Sequence, residues 1–314
     1  MRKVIVIGEA LIDFIPTVNT SIKNAEGFIK SPGGAPANVA SCIAKLGGKS
    51  KIITQLGEDG FGDFLEARIK NAGVDTTSIL RTNKANTALA FVSLDENGER
   101  EFLFYRKPSA DMLLESEEIE EDWFIEGDIL HFCSVNLVDY PVKQAHKKAI
   151  EIAKSKNMII SFDPNVRLPL WENPKDCKNA INEFIPYADI IKVSDEELEF
   201  ITGIKEEEAI ASLLKTAKIV IYTVGSEGAY IYTKTQKVFH KGYKCKAIDT
   251  TGAGDSFIGA VLYQIINKKE LEFTNEEFQN ILNFANATAS IVVGRKGVID
   301  ILPRIEEVEK VIKI

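Results

Sequence analysis

The sequence predicts an α/β fold on a mostly parallel sheet, with a small β lid inserted into it. Three observations carry this expectation. Short apolar, β-branched runs recur along the chain with helical patterns between many of them, as expected for strands joined by helical crossovers. Residues 9–31 and 87–107 break that rhythm and read as extended chain. No internal repeat or low-complexity linker interrupts the 314 residues. Residues 1–314 therefore read as one domain, with those two segments forming its lid.

The first buried strand is residues 3–7 (KVIVI), and similar runs follow at 51–55, 129–132, 158–163, 190–193 and 219–224. A helix is expected over 38–46 and another over 64–72, stopped by Gly73. A third is expected over Pro141–Ser155, where Ala145, Ala149, Ile152 and Ala153 form one stripe. Residues 87–94 and 100–106 alternate around Asp95-Glu96-Asn97-Gly98, which reads as a β-hairpin with an Asn-Gly turn. A lid of this kind suits group transfer, because closure keeps water from the activated group.

Composition narrows the function. Against 46 Asp and Glu the chain carries 38 Lys and Arg, a formal charge of −8. That balance argues against nucleic acid or an anionic membrane as partner, since both attract basic surfaces. Hydrophobic residues at 45% and charged residues at 27% exclude a disordered or fibrous chain. The four cysteines, Cys42, Cys133, Cys177 and Cys245, lie far apart with no C-x-x-C pair, so buried thiols are expected rather than disulfides or a zinc site. Gly8, Glu9 and Asp13 interrupt the first apolar run too early for a signal peptide, and no run is long enough to span a membrane. A cytoplasmic location is the expectation. The three histidines, His131, His146 and His240, fall in no catalytic motif and read as structural.

The sharpest chemical motif is Asp249-Thr250-Thr251-Gly252-Ala253-Gly254-Asp255. A strand-like run at 246–248 enters it, and a helical pattern leaves it through Phe257, Ala260, Val261, Gln264 and Ile265. Small residues ahead of a helix expose backbone N–H groups at its positive end, which makes an anion hole. A carboxylate beside a bound phosphate is unfavourable unless used, and general base for an attacking hydroxyl is the economical use of Asp255. The same residues also fit a tight turn followed by a first-turn helix acid. Gly33-Gly34-Ala35-Pro36-Ala37-Asn38 combines close backbone approach with an amide suited to sugar hydroxyls; a loop capped by Asn38 is the plainer alternative. Asp163-Pro164-Asn165-Val166-Arg167, Asp13, Ser194-Asp195-Glu196-Glu197 and Thr223-Val224-Gly225-Ser226-Glu227-Gly228 all follow strands, where parallel sheets bind ligands.

Together these segments resemble the ribokinase-like (PfkB) family of sugar kinases over nearly the whole chain, and within it the fructokinases. GGAPAN and DTTGAGD match the family's two signatures, and the stretches 104–114 (FYRKPSADMLL), 163–171 (DPNVRLPLW) and 192–197 (KVSDEE) look like fructokinase sequence. The resemblance implies a three-layer α/β/α core with a β-strand lid and transfer of the γ-phosphate of Mg-ATP to the 6-hydroxyl of fructose. It implies Asp255 as base, with Gly252, Ala253 and Gly254 donating N–H groups to the developing charge. Asp13, Gly33, Gly34, Asn38, Phe104, Arg106 and Arg167 would hold the sugar. Glu197 would orient hydrated Mg²⁺, beside Ser194, which replaces the Asn of the family's N-x-x-E pattern. Thr223, Gly225, Gly228 and Asn286 would line the nucleotide site; plain helix packing is the alternative for Asn286. Asp249, Thr251 and Gly297 resemble a K⁺ site. The lid edge suggests a homodimer. A 2-keto-3-deoxygluconate kinase is the rival substrate reading, and a non-catalytic sugar- or nucleotide-binding regulator the rival class.

Overall fold

A computed structural model describes residues 2–18, 20–94, 100–204, 206–268 and 270–313. In chain order it contains β1 (Val4–Ile7), β2 (Leu11–Pro16), β3 (Phe28–Gly33), α1 (Ala35–Lys45), β4 (Ser50–Gly57), α2 (Gly60–Asn71) and β5 (Asp75–Thr82). Then come β6 (Leu89–Leu94), β7 (Arg100–Tyr105), β8 (Ile129–Cys133), α3 (Pro141–Ser155), β9 (Ile159–Asp163), α4 (Pro174–Phe184) and β10 (Ile190–Ser194). The rest is α5 (Asp195–Thr202), α6 (Glu206–Leu213), β11 (Ile219–Thr223), β12 (Gly228–Tyr232), β13 (Lys237–Lys241), α7 (Ala253–Ile265), α8 (Asn275–Val293) and α9 (Ile305–Ile312).

Nine strands form one sheet in the order β13-β12-β11-β10-β9-β8-β1-β4-β5. Pairing is parallel from β11 through to β5, and antiparallel where β12 and β13 extend the edge. Side chains alternate across a strand, so β1 feeds two cores at once. Val4 and Val6 pack with α1, α7 and α8, whereas Ile5 and Ile7 pack with α3, α4 and α5 on the other face. Helices on both faces explain why the central strands are continuously apolar rather than alternating.

The segments that broke the rhythm form a second sheet of four strands, ordered β3-β2-β6-β7. β2 pairs antiparallel with β3 and parallel with β6, and β6 pairs antiparallel with β7 as expected of a hairpin. The Asn97-Gly98 turn itself lies outside the described residues.

Several boundaries differ from the sequence reading. α1 starts at Ala35, three residues before 38, because Gly34 at φ 100° turns the chain into it and Pro36 suits a first turn. Asn38 is therefore inside the helix and does not cap it. α2 starts at Gly60 because the Asp59 carboxylate accepts from the Phe61 and Gly62 N–H groups at 3.0 and 2.8 Å. The run 246–248 is not a strand. Its Ile248 is 61% exposed, and the N–H groups of Ile248 and Asp249 bond the Val293 carbonyl at the end of α8 instead of a sheet neighbour.

Phe132 of β8 and Phe162 of β9 are paired neighbours, fully buried and stacked with ring centroids 4.6 Å apart. Phe162→Ala should cost about 3–5 kcal/mol of stability, because a cavity replaces the ring. A urea-unfolding midpoint unchanged from that of the parent would contradict this account of the core.

Candidate active site

The carboxyl ends of β1, β8, β9 and β10 open into a cleft of about 470 Å³ roofed by the small sheet. Asp13 and Ile15 of β2, Ser31 of β3, Val92 of β6 and Phe104 of β7 line it from the roof. Asn165, Arg167, Lys192, Ser194 and Glu197 line the floor beyond β9 and β10. The turn 249–252, Gly254, Asp255 and Gly297 line it too, together with Glu9, Gly34 and Asn38.

Asp255 lies in the first turn of α7 and is 5% exposed. Each carboxylate oxygen accepts a hydrogen bond from a different amide: Oδ2 from Asn38 Nδ2 and Oδ1 from Asn165 Nδ2, both at 2.8 Å. The outer oxygens of those two amides, Asn38 Oδ1 and Asn165 Oδ1, are buried without a partner among the described residues. Gly252 precedes α7 at φ 73°, and no side chain caps the helix. A Cβ on Gly252 would come within 2.4 Å of Val298 Cγ1, so only glycine fits this turn. The uncapped start leaves backbone donors at the positive end of the helix. Of the three residues expected to donate, Ala253 turns its N–H onto the Thr250 carbonyl at 3.3 Å, and Gly252 and Gly254 face the cleft.

Glu197 shows why Ser194 suffices in the place of asparagine. Ser194 caps α5: its hydroxyl accepts from Glu197 N at 3.2 Å, while Glu197 Oε2 accepts from Ser194 N at 2.9 Å. Serine and asparagine cap helices about equally well. Glu197 Oε1 accepts from Val166 N at 2.9 Å, so both carboxylate oxygens are anchored. Burial alone would raise its pKa, but Lys192 and the two backbone donors outweigh it and hold the carboxyl below its usual range.

Lys192 was legible in the sequence only as part of KVSDEE. Its ammonium is 3.2 Å from Asp163 Oδ2 and 3.7 Å from Glu197 Oε2, and a Cβ on Gly254 would lie 3.2 Å from it. Burial works against this charge, yet Asp163 and Glu197 raise its pKa above the ordinary lysine value.

Across the β2–β3 ladder Asp13 pairs with Ser31, and Gly33 sits diagonal to it, paired with Leu11. A Cβ on Gly33 would approach Asp13 Oδ2 to 2.1 Å, which fixes glycine there. Enclosure, then the neighbouring Asp249 and Asp255, push Asp13 up to about 7, with Arg167 opposing. Glu9, which sequence reasoning did not single out, accepts from Ala35 N at 3.1 Å through Oε1 and holds the Gly34 turn. Burial pushes it up to about 7, against the pull of Arg106. Arg106 itself does not line the cleft. It is 6% exposed and pairs with Asp111, Asn136 Oδ1 (2.7 Å) and the Val135 carbonyl (3.4 Å), tying the end of β7 to the core.

Asp249 Oδ1 accepts from Thr251 N and Oγ1 at 2.9 and 2.7 Å, and Oδ2 accepts from Gly297 N at 3.4 Å, so these three residues do meet. Thr223, Gly225, Gly228 and Asn286 lie outside this cleft, around β11–β13. Thr223 ends β11, and a Cβ on Gly228 would strike the His240 carbonyl at 2.2 Å. Asn286 Nδ2 donates to the carbonyls of His240 (3.0 Å) and Lys241 (3.4 Å), fastening α8 to β13.

Residues 1–305 match the pfkB family carbohydrate kinase. The chain belongs to that family. It is 43% identical over 310 residues to probable fructokinase-4 of Arabidopsis thaliana, covering 98% of this chain and 95% of that one. Fructokinase with bound ATP from Xylella fastidiosa superposes with a TM-score of 0.88 at 32% identity, covering 99% and 98% of the two chains. A double mutant of the Vibrio cholerae fructokinase, in fructose, ADP and potassium ion bound form, also gives 0.88, at 33% identity and 99% and 98% coverage. The ribokinase-like core expected from the sequence is the fold of this kinase. No helix among the described residues is long and apolar enough to cross a membrane.

The raised carboxyls of this carbohydrate kinase have a consequence for stability. Burial raises the Glu9 and Asp13 carboxyls to about 7 in the folded chain, from ordinary values of 4.5 and 3.8. At these two groups the folded chain then binds more protons than the unfolded one between about pH 4 and 7, so their contribution to stability is fully present below that window and is lost as pH rises through it. The thermal midpoint of the ligand-free enzyme should drop between about pH 5 and 7.5, and Asp13→Asn should flatten the drop. Scanning fluorimetry across that range tests this; an unchanged slope in the variant removes Asp13 as its source.

Proposed function

We propose that this kinase transfers the γ-phosphate of Mg-ATP to the 6-hydroxyl of D-fructose. The observation that carries the mechanism is Asp255, held between two amides at the uncapped start of a helix, beneath a β roof. Asp255 takes the hydroxyl proton as the sugar oxygen bonds to phosphorus; the bond from phosphorus to the β–γ bridging oxygen breaks, and ADP leaves with that electron pair. Backbone N–H groups at Gly252 and Gly254 receive the charge on the transferred phosphoryl oxygens, where one such donor is worth about 2.7–4 kcal/mol of barrier. Asp13, Asn38, Phe104 and Arg167 surround the sugar, with Gly33 and Gly34 giving the room. Thr223, Gly225, Gly228 and Asn286 flank the nucleotide.

Mg²⁺ neutralises phosphate charge when bound. Both Glu197 oxygens already accept backbone hydrogen bonds, which fits contact through a metal-bound water more than direct ligation. The Asp249–Thr251–Gly297 junction offers the hard oxygen donors that suit K⁺ behind the anion hole. The small sheet is the lid, and residues 1–314 form one catalytic domain around it. On the lid's edge strands, Ile29, Leu103 and Tyr105 are 56%, 42% and 60% exposed, which supports a homodimer through that sheet.

The acidic-sugar alternative needs cationic contacts. Of the two arginines that could supply them, Arg106 is committed to Asp111, which leaves Arg167 alone in the cleft. Assay of fructose, glucose, ribose, adenosine and 2-keto-3-deoxygluconate with Mg-ATP should give fructose the highest kcat/KM; another substrate in first place overturns the reading. Asp255→Asn should lower kcat by at least about 1,000-fold with fructose binding nearly intact. Sedimentation velocity should show a dimer that Leu103→Asp weakens; a monomeric parent enzyme removes the lid interface.

A further inference from the structure

The Asp163–Arg167 segment contributes more than an arginine to this site. Asn165 has φ +44°, one of two non-glycine residues with positive φ among those described. That conformation is uncommon outside glycine and is sparsely populated even for asparagine. Two contacts hold it. The Asn165 N–H donates to Asp163 Oδ1 at 3.1 Å, and Asp163 is in turn fixed by Lys192, whose Nζ is 3.3 Å from Oδ1 and 3.2 Å from Oδ2. All three residues are at most 5% exposed.

The result is directional. With its backbone turned this way, Asn165 presents Nδ2 to Asp255 Oδ1, on the side of the carboxylate opposite Asn38. Among the described residues the amide's own oxygen has no partner, and its donor is kept on the carboxylate.

We propose that Asn165 is a positioning residue for phosphoryl transfer: the chain Lys192–Asp163–Asn165 forms the second arm of a clamp that fixes the orientation of Asp255. Rotation of a carboxylate held by Asn38 alone moves the lone pair that must meet the sugar hydroxyl, whereas two amides from different elements prevent it. Misplacement of a reacting group by about 1 Å costs on the order of 100-fold in rate. The inference rests on Asp255 being the base.

The decisive variant is Asn165→Gly. Glycine adopts φ +44° without strain, so it removes the amide while sparing the backbone turn. Expected is a fall in kcat of at least about 20-fold, with KM for fructose and for ATP within about threefold and the thermal midpoint within about 3 °C of the parent. Asn165→Asp, which keeps the shape but replaces the donor by a second acceptor, should lose at least as much kcat. A glycine variant with kcat within about twofold of the parent overturns the proposal, since the turn alone would then suffice. So does a kcat loss accompanied by a matching loss of thermal stability, which is the mark of a structural role. Asp255→Asn measured alongside separates the two readings. Retained turnover there sinks the base itself; collapsed turnover there with a normal glycine variant sinks only the clamp.

Discussion

The arrangement of this site turns on one buried carboxyl group, Asp255, held still between two amides. Asp255 would be repelled by its ligand and penalised by burial, so its place must be enforced by neighbours. The enforcement comes from far along the chain: Asn38 is 217 residues away on α1, and Asn165 is 90 residues away after β9. The two hydrogen bonds therefore tie the first and middle thirds of the chain to the last through one side chain. The fold needs α1, β9 and α7 in register before the Asp255 carboxylate is held at all.

The same constraint explains how an acidic chain, at −8, can bind ATP. The cleft carries the carboxyls of Glu9, Asp13, Glu197, Asp249 and Asp255, and no basic surface patch is needed to offset them. Positive potential is supplied locally, by the start of α7, by Lys192 pressed under Gly254, and by Arg167 at the rim. The helix start is fixed by the backbone and Lys192 by burial, so neither has to be ordered when the ligand arrives, whereas Arg167 is exposed. Arg106, which the sequence also offered as a sugar contact, is consumed by Asp111 and Asn136, leaving Phe104 as the residue of that strand that lines the cleft.

How much of this was legible follows from which interactions are local. The parallel core strands could be read because both of their faces are buried and they are apolar throughout, and Pro141–Ser155 because its alanine stripe faces the sheet. The edge strand β13 and its neighbour β12 were missed: β13 is mostly polar and only Val238 is buried, and the short β12 opens on Gly228-Ala229. The run at 246–248 was apolar enough to suggest a strand but has no sheet neighbour, and only the three-dimensional path reveals that. DTTGAGD was legible because an anion hole needs small residues in sequence. The glycines at 33 and 34 were legible for the same reason. Glu9, Asn165 and Lys192 were not singled out, since their meaning lies in partners 26, 90 and 29 residues away. A positive-φ asparagine directly after Asp-Pro was the one signal that sequence reasoning could have used for Asn165.

The replacement of asparagine by Ser194 shows where the family pattern is constrained and where it is loose. What the position must do is cap α5 and present an N–H to Glu197, and a serine hydroxyl does this with the reciprocal bonds at 3.2 and 2.9 Å. Glu197 is then gripped at one oxygen by its own helix start and at the other by Val166, the residue after Asn165. The loop that aims Asp255 and the loop that carries Glu197 are thus one connected body, braced by Lys192 between Asp163 and Glu197. Asp255 and Glu197 therefore cannot shift independently. For an in-line transfer, whose rate depends on the relative placement of attacking oxygen, phosphorus and neutralising charge, that rigidity matters more than the identity of any one capping side chain.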